Sequence, residues 1–447
     1  MRSHQGTPEL RVPRFLTSPN YTLYIINYTL KTCPTGLRVI LTPSESDVVY
    51  AGIAVAAGTR SELDSESGMA HLVEHMTFKG TSHLTSVQIL NRMESVGGDL
   101  NAYTGKEETI YYATFLRPHL RRAIPLLLDI VFNSTYPQEE LEKEREVVID
   151  EIESYNDSPA ELIFDDFEAL LFPDHPLGRN ILGDPERLRQ YTSADLQSFV
   201  RRNYHPSRAV LFVKGKVTME EIMKCTPAPL RLPVSEGSEY LSSSEQNFHV
   251  GQTHDTPLPY REGQGRGPFV LERHTHQAHV MVGACGYGAT DPRHVGLALL
   301  SNILGGPAMN SRLSLALRER TGLVYTVESN YTAYTDTGVW SIYFGCDHDD
   351  VKRCLRLVTK ELRRLTDAPL PPRTLAAAKR QLKGQLGIAA DNSENVALSI
   401  AKQYLHTHCV KSLEQRFAEI DALTSDQLLA IARDIMTPDR LTTLIYQ

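Results

Sequence analysis

The sequence lacks the long apolar runs that a membrane-spanning helix needs. Hydrophobic residues make up 41% and charged residues 22% of its 447 residues, as in globular proteins, and no stretch approaches the roughly 18 consecutive apolar residues of a span. We therefore expect no membrane span. The N-terminal segment also lacks a basic start followed by an apolar stretch and a small-residue cleavage site, so no secretory signal is predicted.

The sequence also has few cysteines and no excess of positive charge. Its six cysteines form neither a C-x-x-C pair nor a dense framework, which is typical of reduced thiols, so we expect a cytoplasmic protein. The spacing of Arg2, Arg11 and Arg14 leaves an organelle-targeting segment as the alternative. Because binding phosphates requires a basic surface, the net charge of −8 predicts no nucleic-acid partner.

The chain divides into two parts joined by a segment of different composition. Strand and helix patterns alternate in the first part, with strands predicted at 37–43, 49–58 and 99–115 (a pair) and helices at 68–78, 87–98, 117–132 and 137–155. Proline, serine and glycine dominate 227–268, which predicts a linker because such a segment buries little apolar surface. The predicted domains are therefore 1–226 and 269–447.

The second domain repeats the plan of the first. The segment "QAHVMVGACGYGA" (277–289) is similar to "VYAGIAVAAG" (49–58), and "VGLALLSNILGG" (295–306) takes the place of "GMAHLVEHMTFKG". Aligning Gly296 with Gly68 pairs His71 with Leu299, Glu74 with Asn302, and His75 with Ile303. The second domain is therefore predicted to be a copy of the first without its polar triplet.

The triplet His71, Glu74 and His75 lies in a segment of helical pattern. Residues four apart on a helix share a face, with Cβ atoms about 5–6 Å apart, so His71 and His75 can bind one ion. Two imidazoles and a carboxylate leave a fourth tetrahedral position open for water, as catalytic zinc requires. Glu74 lies beside the pair, which suits a base better than a ligand. The alternative is a solvated polar surface, but a complete triplet in an apolar context is uncommon by chance.

The order H-x-x-E-H is the signature of the inverzincins, and with it the chain resembles the pitrilysin family, which includes insulin-degrading enzyme and mitochondrial processing peptidase. The resemblance also rests on "FKGT" (78–81) and "GGDLNAYTGKEETIYY" (97–112), and the family's two-domain bacterial members match the chain in size. It implies an α+β fold of two homologous α/β-roll domains, each a mostly antiparallel sheet with helices on one face. It also implies one zinc ion per chain as the cofactor.

The resemblance assigns further residues on a predicted helix. The family's third zinc ligand is a glutamate beyond the motif, which the pattern "EREVVIDE" (144–151) favours at Glu151, with Glu153 as the alternative. Glu144 lies two turns earlier on the same helix face. It matches a second carboxylate that assists catalysis in the family, as a group that supports a ligand.

The resemblance also implies substrate contacts in both domains. "NAYT" (101–104) is similar to the family's edge strand, where Asn101 and Ala102 would bind the substrate backbone by β-augmentation. "LRERTGLVYTVES" (317–329) implies that Arg318 and Tyr325 contact the substrate and stabilise the oxyanion. In two-domain members this pair comes from a partner chain, so the resemblance implies a homodimer, or a heterodimer with a related chain.

Together these features predict a zinc-dependent endopeptidase that hydrolyses peptides or small unfolded polypeptides in a clamshell chamber, with Glu74 as the base. Two alternatives stay open. The first is a noncatalytic scaffold or assembly subunit of the same family, against which the complete triplet and the Arg318 and Tyr325 pair argue. The second is a dedicated peptidase that processes presequences.

Overall fold

The structure is a computed structural model that describes residues 28–226, called the first half, and residues 268–447, called the second half. Arg2, Arg11, Arg14 and all of the predicted linker except its last residue lie outside the described residues. Each half has a sheet of its own. The predicted domain boundaries stay a prediction.

A six-stranded sheet forms the centre of the first half. Its strands are β1 (Thr29–Thr32), β2 (Arg38–Pro43), β3 (Val48–Val55), β4 (Asp99–Thr104), β5 (Thr109–Leu116) and β6 (Ala209–Gly215). They lie in the order β1-β2-β6-β3-β5-β4, and every neighbouring pair is antiparallel except β2 and β6. Strand β4 is therefore an edge strand.

With one exception, the helices of the first half pack on one face of this sheet. They are α1 (Met69–Met76), α2 (Ser86–Glu94), α3 (Leu120–Asn133), α4 (Gln138–Asn156), α5 (Pro159–Leu171), α6 (Pro185–Leu188), α7 (Ser193–Asn203) and α8 (Met219–Cys225). Side chains of a strand alternate between the faces of a sheet. In β3, Ile53 and Val55 accordingly join the core beneath α1 and α3, whereas Ala54 belongs to the opposite face. Helix α5 does not join this core.

The second half has a five-stranded sheet of similar design. Its strands are β7 (Phe269–Leu271), β8 (Ala278–Tyr287), β9 (Val324–Ala333), β10 (Thr337–Cys346) and β11 (Thr442–Tyr446), in the order β7-β11-β8-β10-β9. Only β7 and β11 pair in parallel. The helices are α9 (His294–Gly305), α10 (Val351–Thr366), α11 (Pro372–Ala389), α12 (Ser393–Thr407), α13 (Leu413–Ala422) and α14 (Ser425–Ile435). Strand β9 is the edge strand that corresponds to β4.

Each half covers the outer face of the other half's sheet with one helix. Helix α12 packs Ile400 and Leu405 against Ile40 and Phe212 of the first sheet. Helix α5 packs Ile163 and Phe167 into a cluster with residues of β8, β10 and β11. The halves thus exchange helices, and burial of these apolar side chains stabilises their association.

Polar contacts join the halves at their hairpin turns. Glu107, in the turn between β4 and β5, accepts the Thr335 backbone N–H at 3.0 Å and the Thr335 hydroxyl at 2.6 Å. Arg60 bridges Glu107 at 2.7 Å and Asp336 at 2.8 Å. These contacts hold the turn next to the edge strand β4 against the turn next to β9.

The predicted fold class is confirmed. Both sheets are mostly antiparallel with helices on one face, and a helix of the other half covers the second face, which the sequence did not indicate. The helices predicted at 117–132 and 137–155 correspond to α3 and α4. In residues 28–226 and 268–447, no helix has both the length and the apolar character to cross a membrane.

Candidate metal centre

The start of helix α1 is fixed by a carboxylate that accepts its backbone N–H and by close packing of Gly68 against the chain at Leu182. It begins after Gly68, whose φ of +80° suits glycine and whose Cβ position would lie 2.7 Å from the Leu182 carbonyl oxygen. Glu62 accepts the backbone N–H of Ala70 at 2.9 Å, which satisfies a donor at the helix start. Burial raises the pKa of Glu62 to about 8, although this hydrogen bond opposes the shift. The helix is therefore fixed before any ligand binds.

The structure brings His71, His75 and Glu151 together. One ligand atom of each lies within 4.8 Å of the others. Glu151 Oε2 is 3.9 Å from His71 Nε2 and 3.5 Å from His75 Nε2. Two atoms bound to tetrahedral zinc at about 2.0–2.1 Å would lie about 3.3 Å apart, so this spacing is close to that of a zinc site. Glu153 is not a member of this group.

His71 has the protonation and surroundings of a metal ligand. It is buried, and neither ring nitrogen has a hydrogen bond among the described residues. Burial, and then the neighbouring His75, lower the pKa of His71 to about 3, so the imidazole is neutral near pH 7. A buried imidazole without hydrogen bonds is unfavourable unless its lone pair has a partner, which a metal ion would supply.

Glu144 orients His75 from helix α4. Its Oε1 lies 3.0 Å from His75 Nδ1, and its Oε2 lies 2.5 Å from Lys79 Nζ. Burial raises the pKa of Glu144, but hydrogen bonds from His75 and Lys79 outweigh it and the net shift is downward. Because an ionised carboxylate only accepts hydrogen bonds, His75 Nδ1 carries a proton, and Nε2, which faces Glu151, is the nitrogen left to bind a metal ion.

Electrostatics around His75 favour a positive charge. Burial alone lowers its pKa, but the hydrogen bond to Glu144 and the charges of Glu74, Glu144 and Glu151 raise the pKa above its usual value. A divalent cation would neutralise the same carboxylates. The donor set of two imidazoles and one carboxylate therefore fits zinc.

Glu74 is buried beside the cluster and is bound from the edge strand. The Thr104 hydroxyl donates to Glu74 Oε2 at 2.6 Å. Burial raises the pKa of Glu74, while this hydrogen bond and His75 oppose the shift. A carboxylate whose pKa is raised toward neutrality is suited to accept a proton and return it.

Strand β4 presents an open edge next to α1. Asn101 is exposed, and its amide donates to Asp99 at 2.6 Å, while Ala102 is half-buried and packs on the core of the first half. Among the described strands only β5 pairs with β4, which leaves the other side of β4 open to an added strand. The substrate-binding role of Asn101 and Ala102 stays a prediction.

Arg318 and Tyr325 have no hydrogen bond or ion pair with the cluster among the described residues. Arg318 lies in the short helical segment Ser314–Glu319, and its Nε donates to Glu319 at 2.9 Å. Tyr325 lies in β9 and is 87% exposed. Within the two described ranges, neither side chain has a hydrogen bond or an ion pair with the first half. Their role in substrate binding stays a prediction.

Two residues of the sequence motifs, Lys79 and Thr104, make contacts that the sequence analysis did not predict. Lys79 of "FKGT" pairs with Glu144, and Thr104 of "NAYT" binds Glu74. Lys79 lies beyond the end of α1, so helical spacing does not connect it with His75, and its partner Glu144 lies on α4. Thr104 gave no signal, because its contact with Glu74 depends on how β4 packs against α1.

Comparisons with known proteins cover nearly the whole chain. The family model described as insulinase, peptidase family M16, matches residues 38–185, and the model described as the peptidase M16 inactive domain matches residues 190–382. An uncharacterised zinc protease of Bacillus subtilis is 29% identical over 93% of this chain and 97% of its own length. An uncharacterised zinc protease of Mycobacterium leprae is 31% identical over 91% of this chain and 88% of its own length.

Solved structures are also similar to this chain over nearly its whole length. A protease from Helicobacter pylori has a TM-score of 0.83 at 21% identity, covering 95% of this chain and all of its own. A putative M16-like peptidase from Alicyclobacillus acidocaldarius has a TM-score of 0.78 at 20% identity, covering 96% of this chain and 99% of its own. At these identities the likeness supports the fold and not the activity.

Proposed function

The chain belongs to peptidase family M16, the insulinase family, and on that premise we propose that it is a zinc-dependent endopeptidase of the inverzincin type. The proposed substrates are peptides and small unfolded polypeptides. The sequence resemblance to the pitrilysin family is thereby confirmed at the level of the family. The observation that carries the proposal is that the ligand atoms of His71, His75 and Glu151 lie within 4.8 Å of one another.

The chain's own residues have distinct roles in the proposed reaction. His71, His75 and Glu151 would hold the zinc ion, which when bound supplies Lewis acidity and an activated water. Glu74 takes a proton from the attacking water and delivers it to the leaving amine, which is supported by its burial and its raised pKa.

Glu144 assists by fixing the ring of His75, so it acts through another residue. Its contact with His75 Nδ1 at 3.0 Å supports this role. Losing the carboxylate would allow the ring to rotate and would remove a charge that balances Lys79.

Asn101, Ala102, Arg318 and Tyr325 are the proposed substrate contacts. The open edge of β4 supports pairing with an extended peptide, whose cleavable bond would then lie near α1. We place Arg318 and Tyr325 of a second chain over the site, in a homodimer or a heterodimer with a related chain. The exposure of Tyr325 supports a composite site, as does the finding that neither residue has a hydrogen bond or ion pair with the first half among the described residues.

The first test compares the purified protein with Glu74→Gln for zinc content and for hydrolysis of a quenched fluorescent peptide. We expect about one zinc per chain in both and hydrolysis in the unmodified protein alone, reduced about 10²–10⁴-fold by the substitution. A chelator should abolish hydrolysis, and added zinc should restore it. Absence of zinc would refute the site.

The same experiment separates the alternatives. Bound zinc without hydrolysis, alone and with a related chain added, would favour a noncatalytic scaffold. Mapping the cleavage sites in a library of basic peptides distinguishes degradation from presequence processing, since scattered cuts indicate the former and a single motif the latter. Mixing inactive Glu74→Gln with inactive Arg318→Ala tests the composite site, because each chain would supply what the other lacks and activity would return.

A further inference from the structure

Thr104 connects the open edge of the first sheet to Glu74. Its hydroxyl donates to Glu74 Oε2 at 2.6 Å. The nearby Thr109 hydroxyl, 3.4 Å away, donates its own proton to the Ala57 carbonyl oxygen at 2.8 Å. Thr109 therefore does not donate to Thr104, and the single hydroxyl proton of Thr104 remains with Glu74.

The backbone of Thr104 points toward the open edge of the sheet. The Gly105 N–H donates to the Glu108 carbonyl oxygen at 2.7 Å, which makes these two residues a hydrogen-bonded pair at the turn. Hydrogen-bonded and non-hydrogen-bonded pairs alternate along an antiparallel ladder. Thr104, opposite Thr109, and Ala102, opposite Tyr111, are therefore in non-hydrogen-bonded pairs. Their N–H and C=O groups face away from β5.

We propose that Thr104 is a positioning residue that joins peptide binding to the base: its backbone pairs with the extended substrate while its hydroxyl holds Glu74. This inference rests on the proposed function. Since only Oε2 is held by Thr104, the other carboxylate oxygen stays available to the attacking water. Thr104 then aligns both the base Glu74 and the peptide that pairs with β4.

A purely structural role for the hydroxyl makes a different prediction. Buried polar groups need hydrogen-bond partners, so Thr104 could serve only to satisfy Glu74 and stabilise the chain. In that case its loss would lower the free energy of unfolding without changing turnover by folded protein. In the positioning role, its loss changes kcat while peptide binding persists, because any side chain leaves the backbone pairing intact.

The test compares Thr104→Val with Thr104→Ser in the full chain. Valine has nearly the shape of threonine without the hydroxyl, and serine keeps the hydroxyl. Thr114→Val is the matched control, because Thr114 lies in β5 of the same hairpin and its hydroxyl has no hydrogen bond among the described residues. The measurements are kcat, KM, zinc content, and the affinity of Glu74→Gln for an uncleaved peptide with and without Thr104→Val.

We expect Thr104→Val to lower kcat about 10–100-fold, since the carboxylate of Glu74 loses the hydrogen bond that orients it. KM, zinc content and peptide affinity should change less than about threefold, because no ligand and no backbone group is altered. Thr104→Ser should recover kcat to within about fivefold of the unmodified protein, as the hydroxyl is restored. Thr114→Val should match the unmodified protein throughout.

Several outcomes would overturn the inference. An unchanged kcat for Thr104→Val would do so, and so would equal losses for the valine and serine variants, or a loss confined to KM. Each of these leaves an active unmodified enzyme and refutes only the role of Thr104. If the unmodified chain binds zinc and hydrolyses nothing, the proposed function fails and this inference fails with it.

Discussion

The two halves place corresponding helices in contact but fill the contact with different chemistry. In the first half, α1 meets α4 through His71, His75 and Glu151. In the second half, α9 meets α11 in the same way. Aligning the N-cap prolines Pro137 and Pro371 matches Gln385 with Glu151. Gln385 Oε1 accepts a hydrogen bond from the Asn302 amide at 2.6 Å, and Asn302 matches Glu74.

The difference shows that the polar groups between two such helices can either need a cation or satisfy each other without one. Asn302 and Gln385 are neutral, each with a donor and an acceptor, so they satisfy each other directly. Leu299 is fully buried in place of His71, and apolar packing completes the contact. In the first half, carboxylates and imidazoles converge instead, and burial raises the pKa of Glu74. Such an arrangement is favourable only with a cation, which is typical of functional sites.

The largest expected effect on zinc binding and hydrolysis comes from replacing His71 with leucine, the residue at the matching position of the second half. We expect His71→Leu to lose bound zinc and to reduce peptide hydrolysis by at least about three orders of magnitude, since both the Lewis acid and the activated water depend on the ion. Metal analysis and a fluorescent peptide assay measure both. Leu299→Met is the control and should keep zinc and activity, since a volume-conserving swap costs less than about 1.5 kcal/mol. Retained zinc in His71→Leu would contradict the ligand assignment.

A smaller effect is expected from the carboxylate that orients His75. Glu144→Gln should weaken zinc binding about 10–100-fold, because the imidazole loses a charged partner that fixes its ring. Competition with a chelator of known affinity measures the change. Glu146→Gln makes the same charge change at an exposed position of α4 and should leave zinc affinity unaltered. Equal weakening in both variants would point to net charge rather than orientation.

A third prediction concerns the contact between halves, where the first half supplies a carboxylate and the second supplies a lysine and a histidine. Glu108 lies 2.9 Å from His406 and 2.7 Å from Lys402 of α12. We expect Glu108→Gln to lower the free energy of unfolding by about 1–3 kcal/mol at pH 7, measured by urea denaturation.

This contribution depends on pH in a defined direction. Burial raises the pKa of Glu108, but His406 and Lys402 outweigh it and lower the pKa to about 2. Because the folded-state pKa lies below the unfolded value of about 4.3, the stabilisation is complete above that value and is lost as the pH falls toward about 2. The difference between Glu108→Gln and the unmodified protein should therefore shrink over this range. A constant difference would refute the ionic interpretation.

The smallest effect is expected from the amide pair of the second half. Asn302→Ala should cost about 0.5–1.5 kcal/mol of stability, because one hydrogen bond is lost at a half-buried contact. Zinc content should stay unchanged, as in Glu74→Gln at the matching position, and kcat should stay unchanged as well, in contrast with Glu74→Gln. A loss of zinc in Asn302→Ala would show that the halves are not independent in this respect.

Contacts between neighbouring residues of one element were predictable from the sequence. The rings of His71 and His75 pack edge to face because a helix brings positions four apart together, and the β3 alternation follows from the two faces of a strand. The α+β class and the family follow from such local patterns repeated along the chain. The choice of Glu151 needed the resemblance as well, since α4 carries several acidic residues.

Contacts between elements distant in sequence were decided by the tertiary structure alone. No periodicity indicates that Thr104 meets Glu74, that Asn302 meets Gln385, or that α5 and α12 cover each other's sheets. The physical reason is that helical and strand periods specify which face of an element is apolar, whereas the partner of that face depends on how all the elements pack. The H-x-x-E-H triplet was therefore determined by the sequence itself, and the resemblance indicated Glu151 and Glu144. Only the fold brings these carboxylates to the triplet and connects Glu74 to the edge strand through Thr104.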